Sequence, residues 1–187
     1  MTYTYQYESM VQSMLPSVTE ILQGVGIIDS TWFTPESCER GRAVHTICQL
    51  HDEKDLAIDS IDPNLAGYYA AYQKYLAEAG VDEWSWIECP AMDPLRTYRG
   101  TSDRILTARP RILLDIKSGA PLPWHALQTA AYVNMLPDPY SYQRIGLYLK
   151  ENGTYAIKHY PKGNYATDLR VFMSALTIYN WRAKPHA

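Results

Sequence analysis

The stretch from residue 100 to residue 119, GTSDRILTARPRILLDIKSG, decides the fold. Its two apolar runs, within residues 98–106 and 111–117, are typical of strands, and the Arg- and Pro-containing segment between them is typical of a turn. Asp115 and Lys117 are two residues apart, so their side chains lie on the same face of the second strand. Burying a carboxylate and an ammonium costs several kcal/mol unless they are paired or bind a metal. The end of this strand is therefore a candidate site.

Start and stop signals on both sides of this stretch predict the remaining elements. Ser17-Val-Thr-Glu20 is a capping box, Thr34-Pro35 and Asp62-Pro63 are helix starts, and Gly80 is a helix stop. The first predicted helix begins at residue 18 and ends near Gly24 or Gly26, and the others cover residues 35–51, 63–79, 123–136 and 164–182. The predicted strands cover residues 84–89, 98–106, 111–117, 143–150 and 154–160, the last two forming a hairpin around Asn152-Gly153.

This order of elements predicts an α/β (α+β) fold in which helices flank a central mixed β-sheet. The length of 187 residues favours a single domain, 1–187, with a mainly helical part at 1–82 and a sheet-containing part at 83–187. The formal net charge of −3 conceals an asymmetry. Residues 1–92 carry four basic and 14 acidic side chains, whereas residues 93–187 carry 13 basic and six acidic ones. The second part could therefore present a basic face to a nucleic acid.

Targeting and cysteine signals are sparse. No run approaches 18 consecutive apolar residues, and the first ten residues resemble no secretory signal, so we expect a cytoplasmic protein without a membrane partner. The three cysteines, an odd number without a C-x-x-C pair, favour reduced thiols over a zinc site. They are too few for a four-cysteine iron–sulfur cluster, so none is expected.

Four short motifs occur in order along the chain: Gly41-Arg-Ala-Val-His45, Gly100-Thr-Ser-Asp103, Asp115-Ile-Lys117 and Gln128-Thr-Ala-Ala-Tyr132. Together with the opening helix at residues 16–22, this set resembles the RecB-type branch of the PD-(D/E)XK nuclease superfamily, which includes phage recombination exonucleases. The resemblance covers residues 16–136. Ser102 stands where the family name has proline, and the cysteines of the cluster-bearing relatives are absent.

The resemblance implies a restriction-endonuclease-like core and a divalent-metal-dependent DNA exonuclease, acting in phage or bacterial recombination or DNA processing. It implies that Mg²⁺ or Mn²⁺ is bound by His45, Asp103, Asp115 and the backbone carbonyl of Ile116. Lys117 would orient or deprotonate the attacking water, or stabilise charge beside it. Gln128 and Tyr132 would hold the scissile strand or brace the site. Glu88, at the end of a predicted strand, is either an outer metal ligand or an ordinary strand-end carboxylate.

Several further residues are candidate DNA contacts. Arg40 and Arg42 flank Gly41 and could receive a terminal 5′-phosphate. The arginines around the first strands could follow a DNA backbone, namely Arg96, Arg99, Arg104, Arg109 and Arg111. Trp124 either stacks on a terminal base or packs in the core. The remaining histidines have no such context and are expected to be structural or exposed, namely His51, His125, His159 and His186.

Two alternatives to the exonuclease remain open. One is a structure-selective endonuclease that cuts junctions or flaps with the same core. The other is a non-catalytic module that binds DNA or recruits a partner, such as a recombination protein. The chain has no G-x-x-x-x-G-K-[ST] motif and is therefore not expected to be a nucleotide-hydrolysing motor.

Overall fold

The structure is a computed structural model that describes residues 15–184. The first ten residues, which are not predicted to be a secretory signal, and His186 lie outside this range. The helices are α1 (Val18–Gly24), α2 (Pro35–Asp52), α3 (Ala66–Ala79), α4 (Trp124–Asn134) and α5 (Tyr165–Arg182). The strands are β1 (Trp86–Asp93), β2 (Tyr98–Leu106), β3 (Ile112–Lys117), β4 (Gln143–Leu149) and β5 (Tyr155–Tyr160).

The five strands form one mixed sheet in the order β1-β2-β3-β4-β5. Neighbouring strands are antiparallel except β3 and β4, which run parallel and are joined through α4. Such a parallel pair needs a crossover connection, and α4 supplies it. The predicted mixed sheet flanked by helices is confirmed.

Helices cover both faces of the sheet. On one face, α1, α4 and α5 bury a core that includes Ile21, Leu113 and Phe172. On the other face, α2 and α3 bury a core that includes Tyr72 and Leu147. Because side chains alternate along a strand, Asp115 and Lys117 share the α4 side of β3 with Leu113.

Local signals set most helix ends as predicted. Ser17 accepts from the Glu20 N–H and the Glu20 carboxylate accepts from the Ser17 N–H, which completes the capping box. Thr34 caps α2 with Pro35 in its first turn, and Gly80 ends α3 with a φ of 63°. The start at Asp62-Pro63 is displaced, because the Asp62 carboxylate accepts from the Asn64 N–H and forms a turn that delays α3 to Ala66.

Strand β1 begins at Trp86, two residues later than predicted. It ends at Asp93 rather than at residue 89, because it continues through Pro90. It is an edge strand that pairs with β2, so the missing N–H of Pro90 need not interrupt the sheet. Among residues 15–184, no helix combines the length and apolar character needed to span a membrane. Cys38, Cys48 and Cys89 are free thiols.

Candidate functional site

Three carboxylates lie side by side across strands β1, β2 and β3. Glu88 is opposite Asp103, since Ile87 pairs with Arg104 and Cys89 with Ser102. The β2–β3 register, in which Arg104 pairs with Leu114, continues to place Asp103 opposite Asp115. Asp103 and Asp115 are only 7% and 1% exposed. We call Glu88, Asp103 and Asp115 the carboxylate row.

His45 joins this row from α2. Its Nδ1 lies 3.5 Å from Asp103 Oδ1, and the side chains of His45, Glu88 and Asp103 offer ligand atoms that all lie within 4.8 Å of one another. The structure thus places His45 and Glu88 beside Asp103.

The backbone of β3 also faces Asp103. The Ile116 N–H donates to Asp103 Oδ2 at 2.6 Å. Because the N–H and C=O of one strand residue point to the same side, the Ile116 carbonyl is directed towards β2 as well.

Asp115 is held by its neighbour on the same face, because Lys117 Nζ lies 2.7 Å from Asp115 Oδ2. Burial raises the pKa of Asp115, and the charge of Asp103 adds to the rise although Lys117 opposes it. Burial would also raise the pKa of Asp103, but His45, Lys117 and the Ile116 N–H outweigh it and lower the pKa. The attraction of Asp103 raises the pKa of His45 against the effect of burial. Burial would lower the pKa of Lys117, but Asp115 and Asp103 raise it.

The backbone at the row is irregular. Glu88 has a φ of 45°, which is uncommon for a residue with a side chain and often marks a functional site. Opposite it, β2 breaks its alternation, because Gly100 and Ile105 both pack on the α4 side although they are five residues apart. The irregularity brings Asp103 to the α4 side, which it shares with Asp115.

Arg104, predicted to contact DNA, is instead a buried structural residue. Its side chain is 0% exposed. Its Nε donates to Asp52 Oδ2 at 2.5 Å and its Nη1 to Glu88 Oε1 at 3.0 Å. The Tyr72 hydroxyl donates to the same Asp52 oxygen at 2.6 Å. The prediction was wrong because the guanidinium neutralises two carboxylates inside the protein.

Other predicted DNA contacts among the arginines also have protein partners. Arg99 donates from Nε to the Leu15 carbonyl at 2.7 Å and lies 3.9 Å from Glu20, so it fastens the segment before α1 to β2. Arg96 pairs with Asp93. Arg111 pairs with Asp138. Arg109 precedes Pro110 in the exposed β2–β3 turn and does not line the cleft described below.

Gln128 and Tyr132 lie on the buried face of α4. Gln128 Nε2 is 3.0 Å from the Tyr132 hydroxyl, whereas Gln128 Oε1 is enclosed and has no hydrogen-bond partner in the part of the chain that the structure describes. A Cβ on Gly100 would come within 2.5 Å of the Tyr132 ring, so glycine is needed there for the ring to reach its position. Tyr132 is also close enough to Asp115 and Lys117 for their charges to act on its hydroxyl.

A cleft of about 990 Å³ opens between α2 and the segment joining β3 to α4. Its walls include Arg40, Gly41, Arg42, Leu122 and Trp124. Residues in or near the candidate site also line it, namely His45, Glu88, Lys117, His125 and Gln128. Trp124 is half-buried and packs against the core of α1, α4 and α5, which is one of its two predicted roles. It also lines the cleft, and its stacking on a base stays a prediction. His125 was expected to be structural or exposed, and no local signal marks it as a cleft residue.

The donor set suits a hard divalent cation. The two carboxylates and the imidazole that lie within 4.8 Å of one another, those of Glu88, Asp103 and His45, match the oxygen and nitrogen ligands that Mg²⁺ and Mn²⁺ accept. Asp115 is not part of this group and lies beside it on β3, paired with Lys117. Two buried carboxylates on facing strands repel each other, and a cation between them would relieve that repulsion.

Comparison with known proteins supports the fold. No protein-family model and no curated protein sequence matches the chain. Similar solved structures include a protein from Eubacterium rectale whose name assigns it provisionally as an exonuclease. That structure matches with a TM-score of 0.57 and 12% sequence identity, over 99% of this chain and 88% of the other. At this identity the similarity concerns the fold alone.

Proposed function

We propose that this chain is a divalent-metal-dependent DNA exonuclease that hydrolyses phosphodiester bonds. The observation that carries the proposal is the carboxylate row, with His45 at one side and Lys117 at the other. The similarity of fold to a protein provisionally assigned as an exonuclease agrees with it. The resemblance of the four ordered motifs supports a RecB-type PD-(D/E)XK nuclease acting in phage or bacterial recombination, in the cytoplasm of the cell or host.

In this proposal Mg²⁺ or Mn²⁺ is held by His45, Glu88, Asp103 and Asp115, with the Ile116 carbonyl. A bound ion of this kind lowers the pKa of water and neutralises charge on phosphate oxygens. Lys117 would orient or deprotonate the attacking water, or stabilise negative charge beside it.

Gln128 and Tyr132 brace the site from α4 through the hydrogen bond between Gln128 Nε2 and the Tyr132 hydroxyl. Arg42, exposed at the cleft, and Arg40 beside it are the proposed contacts for DNA phosphates. Trp124 is the proposed stacking surface for a base. A recombination protein remains the proposed partner.

The test compares end-labelled linear DNA with covalently closed circular DNA in the presence of Mg²⁺, Mn²⁺ or EDTA. We expect loss of linear DNA from its ends with either metal and no loss with EDTA, while the circle stays intact. Nicking of the circle or cutting of a four-way junction would indicate the endonuclease instead. Binding with a steep salt dependence but no cleavage would indicate the non-catalytic module.

The variants Asp103→Asn and Asp115→Asn should abolish cleavage. The matched control is Asp93→Asn, which changes another buried carboxylate at the opposite end of the β1–β2 pair, where it binds Arg96. Full activity in Asp115→Asn would contradict the site assignment.

A further inference from the structure

His125, in the first turn of α4, has no role in the site as described so far. It is 2% exposed, and its imidazole nevertheless lines the cleft together with Lys117 and Gln128. The Trp124 ring packs against it edge to face, with ring centroids 4.0 Å apart. The side chain is therefore fixed in orientation at the wall of the cleft.

Hydrogen bonds determine which nitrogen of His125 carries the proton. The Leu122 backbone N–H points at Nδ1 from 3.2 Å, and the Tyr148 hydroxyl lies 2.7 Å from the same atom. A backbone N–H can only donate, so Nδ1 is an acceptor and the neutral ring carries its proton on Nε2. Tyr148 then donates to Nδ1, and Tyr160, 2.9 Å away, donates to Tyr148.

The position of the two tyrosines depends on Gly146. A Cβ at that residue would lie 3.0 Å from the Tyr148 oxygen and 3.1 Å from the Tyr160 oxygen. The absence of a side chain at Gly146 thus leaves room for the Tyr148 and Tyr160 hydroxyls, which form the hydrogen-bonded chain that ends on His125 Nδ1.

The Nε2 side of the ring carries no internal hydrogen bond. Nε2 makes no hydrogen bond within residues 15–184 and is not among the enclosed unpartnered atoms of that range, so it keeps some exposed surface, and the residue lines the cleft. Burial, with the charges of Lys117 and Lys158, lowers the pKa of His125 to about 3. The ring is therefore a neutral donor at neutral pH.

We propose that His125 is a substrate-binding residue whose Nε2–H donates a hydrogen bond to a non-bridging phosphate oxygen of the DNA strand in the cleft. This inference rests on the proposed nuclease function and adds a contact to it. Non-bridging phosphate oxygens are acceptors only, and Lys117 supplies a cationic donor at the same wall. A neutral donor can bind a phosphate oxygen without being attracted to the carboxylate row. A second cationic side chain would compete with the metal ion for those carboxylates.

Two variants distinguish the effect of the Nε2–H donor from the effect of the internal hydrogen bonds at Nδ1 of His125. His125→Asn keeps an acceptor near the position of Nδ1 but has no atom at the position of Nε2. His125→Gln carries its amide N–H₂ to about the position of Nε2. We expect His125→Asn to lower kcat/KM on linear DNA by about tenfold, mainly through KM, and His125→Gln to recover most of this loss. The thermal midpoint of His125→Gln should be the lower of the two, because only His125→Asn keeps an acceptor for the Leu122 N–H and the Tyr148 hydroxyl.

A kcat/KM of His125→Asn equal to that of the unaltered protein would overturn the inference while leaving the nuclease function intact. Equal losses in both variants, with equally lowered midpoints, would also overturn it, because they indicate a structural role. If the unaltered protein cleaves no DNA, the proposed function itself fails.

A measurement on the unaltered chain covers the case in which the variants do not fold. Long-range ¹H–¹⁵N spectra of the imidazole should show a protonated Nε2 and a bare Nδ1. The Nε2 signal should shift when thymidine 5′-monophosphate and Ca²⁺ are added. A proton on Nδ1, or an Nε2 signal that does not move, would overturn the inference.

Discussion

The carboxylate of Asp103 on β2 is bound by the backbone of β3, because the Ile116 N–H donates to its Oδ2 at 2.6 Å. The other oxygen, Oδ1, is the one nearest His45. The orientation of the Asp103 carboxylate is thus set by the backbone of β3, whose position follows from the pairing of two strands, and not by contact with a flexible side chain. A candidate metal ligand held in this way is preorganised.

This contact predicts that two substitutions of Asp103 differ in stability. Asp103→Asn keeps an oxygen that accepts from Ile116, whereas Asp103→Ala leaves that buried N–H without a partner. We expect Asp103→Ala to be less stable than Asp103→Asn by about 1–3 kcal/mol in chemical denaturation. Both should lose Mn²⁺ binding in calorimetry. Equal free energies of unfolding for the two variants would show that the hydrogen bond contributes nothing.

The ion pair of Asp115 and Lys117 predicts a pH-dependent loss of stability in Lys117→Met. The variant leaves the Asp115 carboxylate buried without its cation, so its pKa, already raised by burial, should rise further. A raised carboxyl pKa gives stability that is complete below the pKa of the unfolded chain and lost as the pH rises through that of the folded chain. We expect a destabilisation on the order of 3 kcal/mol at pH 8 and a smaller one at pH 5.

Adding Asp115→Asn to Lys117→Met should remove most of this pH dependence. Lys74→Met is the surface control, since Lys74 and Glu78 are 3.9 Å apart with both side chains more than half exposed. It should change stability little at either pH. A Lys117→Met variant that is equally destabilised at pH 5 and pH 8 would contradict the argument.

Much of the fold could be predicted because its signals are local. The capping box at Ser17, the Thr34-Pro35 start and the stop at Gly80 each act within a few residues of a helix end. Asp115 and Lys117 could be placed on one face because alternation along a regular strand needs no tertiary information.

The site was less predictable where long-range partners decide the role of a residue. Arg104 looked like a DNA contact because its buried partner Asp52 is 52 residues away in sequence. Glu88 gains its position from an irregular φ that no local pattern announces. The setting of His125 depends on Tyr148 and Tyr160, which lie on the next two strands of the chain, β4 and β5.

The buried hydroxyl of Tyr72 predicts a measurable loss in Tyr72→Phe. It donates to Asp52 at 2.6 Å and accepts from Trp84 Nε1 at 3.2 Å, so the variant removes partners from two polar groups at once. We expect a loss of about 1–3 kcal/mol in the free energy of unfolding. Tyr75→Phe, on the same helix, is the control, because that ring is also buried but makes an aromatic contact with Tyr155. Comparable losses in both would argue against the network.

The contact of Gly100 with Tyr132 predicts that Gly100→Ala disturbs the site. The added Cβ would come within 2.5 Å of the ring, and the ring is buried, so ring or strand must move. Overpacking of this kind costs about 1–3 kcal/mol. We expect the rate of cleavage to fall together with the stability, because a displaced Tyr132 ring would also displace Gln128, which is hydrogen-bonded to the Tyr132 hydroxyl. Gly163→Ala is the control, since a Cβ there meets nothing within 4 Å. A Gly100→Ala variant with unchanged midpoint and unchanged cleavage would contradict this assignment.

Glu88→Gln tests whether this residue is a metal ligand or only a partner of Arg104. The amide oxygen can still accept from Arg104 Nη1, as the carboxylate does at 3.0 Å, so the internal hydrogen bond is kept. The negative charge beside Asp103 is lost, and with it the repulsion between the two carboxylates that, together with burial, raises the pKa of Glu88 in the unaltered protein. If Glu88 is a ligand, Mn²⁺ affinity measured by calorimetry should fall about tenfold while the thermal midpoint stays the same or rises. Glu83→Gln makes the same change at an exposed position before β1 and should leave Mn²⁺ binding unchanged. Unaltered Mn²⁺ affinity in Glu88→Gln would assign Glu88 to the Arg104 pair alone and leave His45, Asp103 and Asp115 as the side-chain ligands.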